Sequence, residues 1–290
     1  MRTIPPRTPH PRKDRLAGTL RRTCLLAGAI ISALLLAGCL GQTDPGALAR
    51  SANLDPITYS GKYFDLVGYE RGTGTTLRVY IEGDGLAWRT RNRPSLDPTP
   101  HNPIGLTLAS TDSNDAVLYL ARPCQYVQGE QRRNCYTPLW TSARFSEPVI
   151  AEMNGFLDQA KARAHASRLK LLGYSGGGCV ALLLAERRDD VDAVVTVAGN
   201  IDHAFWTQWH KVSPLRNSLD PMRDKAALLR IPQLHIVSRD DSVMPPAIAE
   251  HYVSQLGNPD SIRIITVEGV DHTGDWQDVV PGILAQSGLW

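Results

Sequence analysis

Cysteine is sparse, with five residues in a chain of 290. That is too few for a disulfide-stapled miniprotein. No internal repeat and no low-complexity segment occurs beyond a proline-rich front, so a repeat array is set aside. No glycine-rich loop ends in the Lys of a phosphate loop, and no His-Glu-x-x-His pair marks a zinc-protease helix. No second Cys/His pair has ligand spacing, so no metal is expected. No dense basic run follows residue 38. The formal charge of +2 comes from the front: residues 1–38 hold seven cations and one acid, Asp14, and the remaining 24 basic and 28 acidic residues leave −4. A mildly acidic body has no electrostatic reason to bind nucleic acid, whose phosphates demand clustered Lys and Arg. What is present is a hydrophobic fraction of 42%. It excludes whole-chain disorder and allows one large domain or two small ones.

Beyond residue 57 the pattern alternates strands and helices. Tyr63–Glu70 and Leu77–Ile81 are rich in β-branched and aromatic residues and flank Arg71-Gly72-Thr73-Gly74, which reads as a hairpin. Ala116–Ala121, Leu169–Gly173, Ala193–Ala198, Gln233–Ser238 and Ile262–Val267 read as short buried strands. Between and after them, 148–163, 178–187, 246–256 and 276–286 read as helices. This order predicts an α/β fold, a mostly parallel central sheet with helices on both faces. Residues 200–230 interrupt the rhythm with Phe205, Trp206 and Trp209 beside His203 and His210. They form a small helical insertion before the penultimate strand, either a cap over a site or an external elaboration.

The stretch that carries chemistry is Gly173-Tyr174-Ser175-Gly176-Gly177-Gly178. Alone, G-x-S-x-G arises by chance in about one chain of this length in ten. Here it follows a buried strand and opens a helix, the context of a nucleophile elbow. A serine hydroxyl needs a base, and the base needs an orienting acid. The last two strands end in Ser238-Arg239-Asp240-Asp241-Ser242-Val243-Met244-Pro245 and in Glu268-Gly269-Val270-Asp271-His272. They supply an acid and then a histidine.

On these residues the chain resembles the α/β-hydrolase superfamily over roughly 58–290. The family pattern G-x-x-D-x-x-V-P falls on 238–245, with Ser238 and Met244 departing from it and Asp241 as the acid. The pattern G-x-x-H falls on 269–272 without departure. The resemblance implies Ser175 as nucleophile, His272 as base and Asp241 as acid, with Asp240 and Asp202 as rival acids. Gly176 N–H and Asp84 N–H are implied as oxyanion donors, the latter from the loop Glu82-Gly83-Asp84-Gly85-Leu86-Ala87-Trp88. Glu82 stands where many members carry His. Gly83-Asp84-Gly85 is not a dinucleotide fingerprint, because Trp88 replaces the third glycine. Ser at 175 also excludes dehalogenation by an Asp nucleophile. The implied activity is hydrolysis of an ester-type acyl substrate, a small molecule, through an acyl-enzyme without cofactor. A serine peptidase or amidase of the prolyl-oligopeptidase type and a non-catalytic envelope binding protein are the alternatives. Oligomeric state is left open. Among the other histidines, His235 reads as a core residue and His251 as a helix-surface one. Trp88 either lines the pocket or packs.

The front ends in the apolar run Cys24–Ala37 and then Leu36-Ala37-Gly38-Cys39. The run fits a signal-peptide hydrophobic region and is short for a membrane span. The last four residues resemble the bacterial lipobox. That implies a signal peptide over 1–38, acylation of Cys39, a tether over 39–57, and a lipid anchor in the cell envelope, on the outer membrane facing the periplasm. Export leads to an oxidising compartment. There Cys124 and Cys135 either pair, closing a loop worth on the order of 2–3 kcal/mol, or stay free. Cys179 reads as a small core residue.

Overall fold

The computed structural model describes Met1, Thr3 and residues 43–290. Apart from Met1 and Thr3, the expected signal peptide over 1–38 and the expected acylation site Cys39 lie outside the described residues. Thr43–Trp290 form one compact unit. Among the described residues no helix is long and apolar enough to cross a membrane.

The segment expected to be a tether is built into this unit. Pro45–Ser51 form α1, with Asp44 accepting from Gly46 N–H and Pro45 at the first turn. Both are favoured at a helix start. Asp55–Ser60 form β1. Ala49 and Leu54 are fully buried, so the sparse apolar residues here serve as anchors although they show no period.

Eight strands make one sheet. After β1 come β2 (Asp65–Arg71), β3 (Thr76–Ile81), β6 (Val117–Leu120), β7 (Arg168–Tyr174), β8 (Val191–Val197), β9 (Gln233–Ser238) and β10 (Ile262–Val267). Their spatial order is β1-β2-β6-β3-β7-β8-β9-β10. β1, β2 and β6 pair antiparallel, and every pair from β6–β3 to β9–β10 is parallel. The predicted hairpin is therefore wrong. The strands exist, but β6 lies between β2 and β3 and pairs with both. Val117–Leu120 is buried at all four positions. A strand so apolar needs a neighbour on each edge and cover on each face, and a local turn at Gly72 cannot outweigh that.

Helices cover both faces. On one lie α3 (Glu147–Arg163), α4 (Gly176–Ala185), α6 (Lys225–Leu229) and α7 (Pro246–Gln255). Their core gathers Val149, Phe156, Leu182, Leu228 and Tyr252 against Leu77, Val79 and Leu171. On the other lie α1, α2 (Ile104–Thr111) and α8 (Val280–Ser287), packed with Trp276 on Tyr80, Tyr119 and Leu172. The expected helix over 276–286 divides into a 3₁₀ turn at Trp276–Asp278 and α8. A two-stranded ribbon, β4 (Trp88–Thr90) and β5 (Arg93–Pro94), stands apart from the main sheet. Residues 200–230 divide. Their first part, α5 (His203–Trp209), reaches the carboxyl edge of the sheet, where Trp206 and His210 both bond Val243 O at 2.9 Å. Their second part, a 3₁₀ turn at Pro221–Arg223 and α6, packs on α4.

The end of α4 carries a carboxyl with a pH signature. One oxygen of Glu186 has no hydrogen-bond partner. Burial, and then the nearby Asp224 charge, push its pKa up to about 8. In the unfolded chain it titrates near 4.5. Below that both states are protonated and nothing is lost. As pH rises towards 8 the unfolded chain releases its proton first, so stability falls. Glu186→Gln should unfold at higher urea than wild type at pH 8.5, by roughly 1–2 kcal/mol after allowance for partial exposure. The gap should close near pH 4.5. An equal gap at both pH values would refute the assignment.

Candidate active site

The parallel strands point their carboxyl ends at one rim, where open α/β sheets assemble sites. β7 ends at Tyr174, and Ser175 takes φ 50°, ψ −120° before α4 begins. That left-handed backbone costs about 1–3 kcal/mol in a non-glycine residue. The flanking glycines permit it by close approach. A Cβ on Gly173 would sit 2.2 Å from Gly177 O, and one on Gly177 would sit 2.4 Å from Ile81 O. The turn lifts Ser175 Oγ off the sheet edge.

The structure brings Ser175, His272 and Asp241 together. His272 Nε2 lies 3.0 Å from Ser175 Oγ, and its Nδ1 lies 2.8 Å from Asp241 Oδ2. The Asp241 side chain is wholly buried. Its other oxygen accepts the N–H groups of Val243 and Met244, each at 2.8 Å. Both oxygens are thus engaged, and the carboxylate cannot turn. With Oδ2 as acceptor, Nδ1 carries the proton and Nε2 presents its lone pair to the serine. The imidazole is held from behind. Tyr174 Oη donates to His272 O at 2.7 Å and Trp276 Nε1 to the same oxygen at 3.1 Å. The Tyr174 ring also stacks on the imidazole with centroids 5.4 Å apart.

The rival acids have other partners. Asp240 Oδ2 accepts Gly269 N–H at 2.6 Å, tying together the loops after β9 and β10. Asp202 accepts Phe205 N–H and pairs with His251 Nδ1 at 2.7 Å. His251, read as a helix-surface residue, is thus a paired one. His235 is a core residue, fully buried. Burial alone pushes its pKa down to about 3. His203 bonds Leu219 O.

The loop after β3 forms the facing wall. Glu82, Asp84, Gly85, Ser175 and His272 line a cavity of about 260 Å³, with His101 at its rim. Of the two implied donors, Asp84 N–H belongs to this wall and Gly176 N–H to the start of α4 beside Ser175. Among the described residues neither donates to a protein oxygen. The loop is braced by charges that sequence reasoning missed. Asp84 is clamped by Arg122 at 3.2 Å and by Arg144, both nearly buried. Burial works against its charge, but Arg144 and Arg122 outweigh it and hold the carboxyl below its ordinary range. A Cβ on Gly176 would meet Asp84 Oδ1 at 2.1 Å, so the carboxylate lies flat against the elbow. Glu82 accepts the N–H groups of Gly83 and Gly105 and the Tyr119 hydroxyl. Burial pushes its pKa up in spite of those donors. Gln125 Nε2 holds Gly83 O at 3.0 Å. Next to it, Cys124 is bonded to Cys135, with Cα atoms 5.6 Å apart. Cys179 is a buried free thiol, as expected. The signal available in the sequence was the pair of acids in Ile81-Glu82-Gly83-Asp84, because buried carboxylates require partners. Which arginines supply them is not written locally. Trp88 lines a neighbouring groove.

No family model matches the chain, and no curated protein matches it. Solved structures do. An esterase from Pyrococcus furiosus is similar at TM-score 0.58 and 12% identity, covering 86% of this chain and 92% of that one. A protein from Xanthomonas campestris, called a member of the α/β serine hydrolases without lid, is similar at 0.53 and 13%, covering 80% and 92%. A Coxiella burnetii α/β serine hydrolase homologue is similar at 0.51 and 13%, covering 80% and 94%. The fold is the α/β-hydrolase fold.

Proposed function

We propose that this chain is a serine hydrolase acting on an ester-type acyl substrate. The observation that carries the reading is His272, which bridges the Ser175 hydroxyl at 3.0 Å and the buried Asp241 carboxylate at 2.8 Å. In the first half-reaction His272 Nε2 takes the Ser175 proton as Oγ bonds to the substrate carbonyl carbon. The imidazolium that forms is stabilised by Asp241. Negative charge develops on the carbonyl oxygen. Gly176 N–H and Asp84 N–H receive it, each such donor being worth about 3 kcal/mol in the transition state. The start of α4 adds its partial positive charge. His272 then gives the proton to the leaving alcohol, and the acyl group stays on Ser175. Water then attacks the acyl carbon, giving one proton to His272, which passes it to Ser175 Oγ as the acyl–Oγ bond breaks and the acid leaves. None of these steps calls for a cofactor.

A fluorophosphonate reacts preferentially with an activated serine and hardly at all with an ordinary one. The full chain should be labelled at Ser175, found by peptide mass, and Ser175→Ala should not be labelled while keeping its wild-type unfolding midpoint. Labelling that persists in Ser175→Ala would show another nucleophile. No labelling of folded wild type would favour a binding protein on a hydrolase fold.

A further inference from the structure

The cavity at Ser175 is small, about 260 Å³. Beside it opens a groove of about 800 Å³. It is lined by Trp88 and Arg91 of the β4–β5 ribbon, by Trp206 of α5 and Lys211 just after it, and by Arg144. No carboxylate lines it. Arg144 shares the single Asp84 carboxylate with Arg122. Among the described residues, Arg91 and Lys211 have no carboxylate within 4.0 Å. Arg89 and Arg93 flank Arg91 on the same ribbon, all three are exposed, and no acid lies between Trp88 and Ser95. The body of the chain is net acidic, whereas this ribbon carries three cations and no acid.

The groove touches both halves of the site. Arg144 holds Asp84, whose carboxylate lies against Gly176. Across from it, Trp206 Nε1 donates at 2.9 Å to Val243 O, two residues past Asp241. The small cavity and the groove adjoin at the Asp84–Arg144 pair, Asp84 lining the one and Arg144 the other. Unpaired cations between aromatic faces favour an anion.

We propose that the groove binds the anionic part of the substrate, making this site selective for esters that carry a carboxylate or phosphate-type group. Arg91 and Lys211 supply the charge, and Trp88 and Trp206 supply the walls. The inference rests on the serine hydrolase reading and adds its substrate class. The test uses matched pairs of 4-nitrophenyl esters on the full chain. One pair is the hemiglutarate against its neutral methyl ester. A second is the 3-phosphonopropionate against its dimethyl ester. A third is 3-carboxy-4-nitrophenyl butyrate against 4-nitrophenyl butyrate, which moves the anion to the leaving group. At least one charged member should be preferred roughly five- to tenfold in kcat/KM, as two partly exposed ion contacts allow. The preference should shrink in about 0.5 M salt. It should vanish in Arg91→Gln/Lys211→Gln and persist in Arg230→Gln, an exposed cation before β9. Hydrolysis without preference in every pair overturns the inference and leaves the serine reading intact. So does a preference that survives the double substitution. Anionic vesicles supply a further arm. If the double variant loses only vesicle binding while soluble anions show no preference, the groove contacts a bilayer and the inference fails. Silence towards every ester, together with no fluorophosphonate labelling, overturns both readings.

Discussion

Asp241→Asn should lower kcat on a 4-nitrophenyl ester about ten-thousand-fold, the scale seen when the orienting acid of such a triad loses its charge. The physical reason is tautomeric. Asp241 Oδ2 accepts from His272 Nδ1, and Oδ1 is fixed by two backbone amides. An Asn in that frame keeps its carbonyl oxygen on the amides and turns its NH₂ to Nδ1. The imidazole then carries its proton on Nε2 and cannot accept one from Ser175. KM should change little, because Asp241 is buried and does not reach the substrate cavity. Asp240→Asn is the control. Its carboxylate braces Gly269 N–H, and an amide oxygen can do the same, so kcat should stay within about threefold, the effect of a partly exposed hydrogen bond. Equal losses in the two variants would remove Asp241 from the assigned role.

Asp84→Ala should destabilise the fold by about 3–5 kcal/mol, because it strands two buried cations. Arg122 and Arg144 both point at this carboxylate, and burial already pushes the Arg122 pKa down. Removing the anion leaves their mutual repulsion and desolvation uncompensated. Urea unfolding measures the effect, and a loss below 1 kcal/mol would show that water or movement relieves the arginines. Activity should fall as well, although the amide at 84 is still present. The carboxylate ties the loop to Arg122 and Arg144 while packing against Gly176, and oxyanion donors act only when fixed in place. Arg144→Met in the Asp84→Ala background removes one stranded charge and should recover part of the stability. It should not recover kcat, since the loop still lacks the carboxylate that tied it to Arg122 and Arg144.

Much of the sheet was legible because each strand from Leu169 onward is a short apolar run bounded by turn residues. The helices between them carry a 3.6-residue stripe. β2 and β3 were legible as strands but not as partners. A turn sequence states that two strands can meet, not that a third one 36 residues further on will pair with both. The front of the domain was misread for a related reason. Ala49 and Leu54 are too few to make a period, yet both are buried. Of the site, the nucleophile elbow and the histidine were written in contiguous motifs. The acid was ambiguous between neighbours, and only the hydrogen bonds of Asp240 to Gly269 and of Asp241 to His272 separate them.

By itself the sequence determined the fold class, because hydrophobic period is a local property of the chain, while the assignment of Ser175, Asp241 and His272 to one site came from the resemblance of their motifs. The resemblance placed 82–88 opposite Ser175, and the structure shows why it can lie there, because β3 and β7 are parallel neighbours whose carboxyl ends share one rim. Tertiary structure alone decided the strand order, the clamp of Arg122 and Arg144 on Asp84, and the gathering of Arg91 and Lys211 into one groove. Those partners lie tens to more than a hundred residues apart. Their association depends on burial and charge pairing in space, which no window along the chain contains.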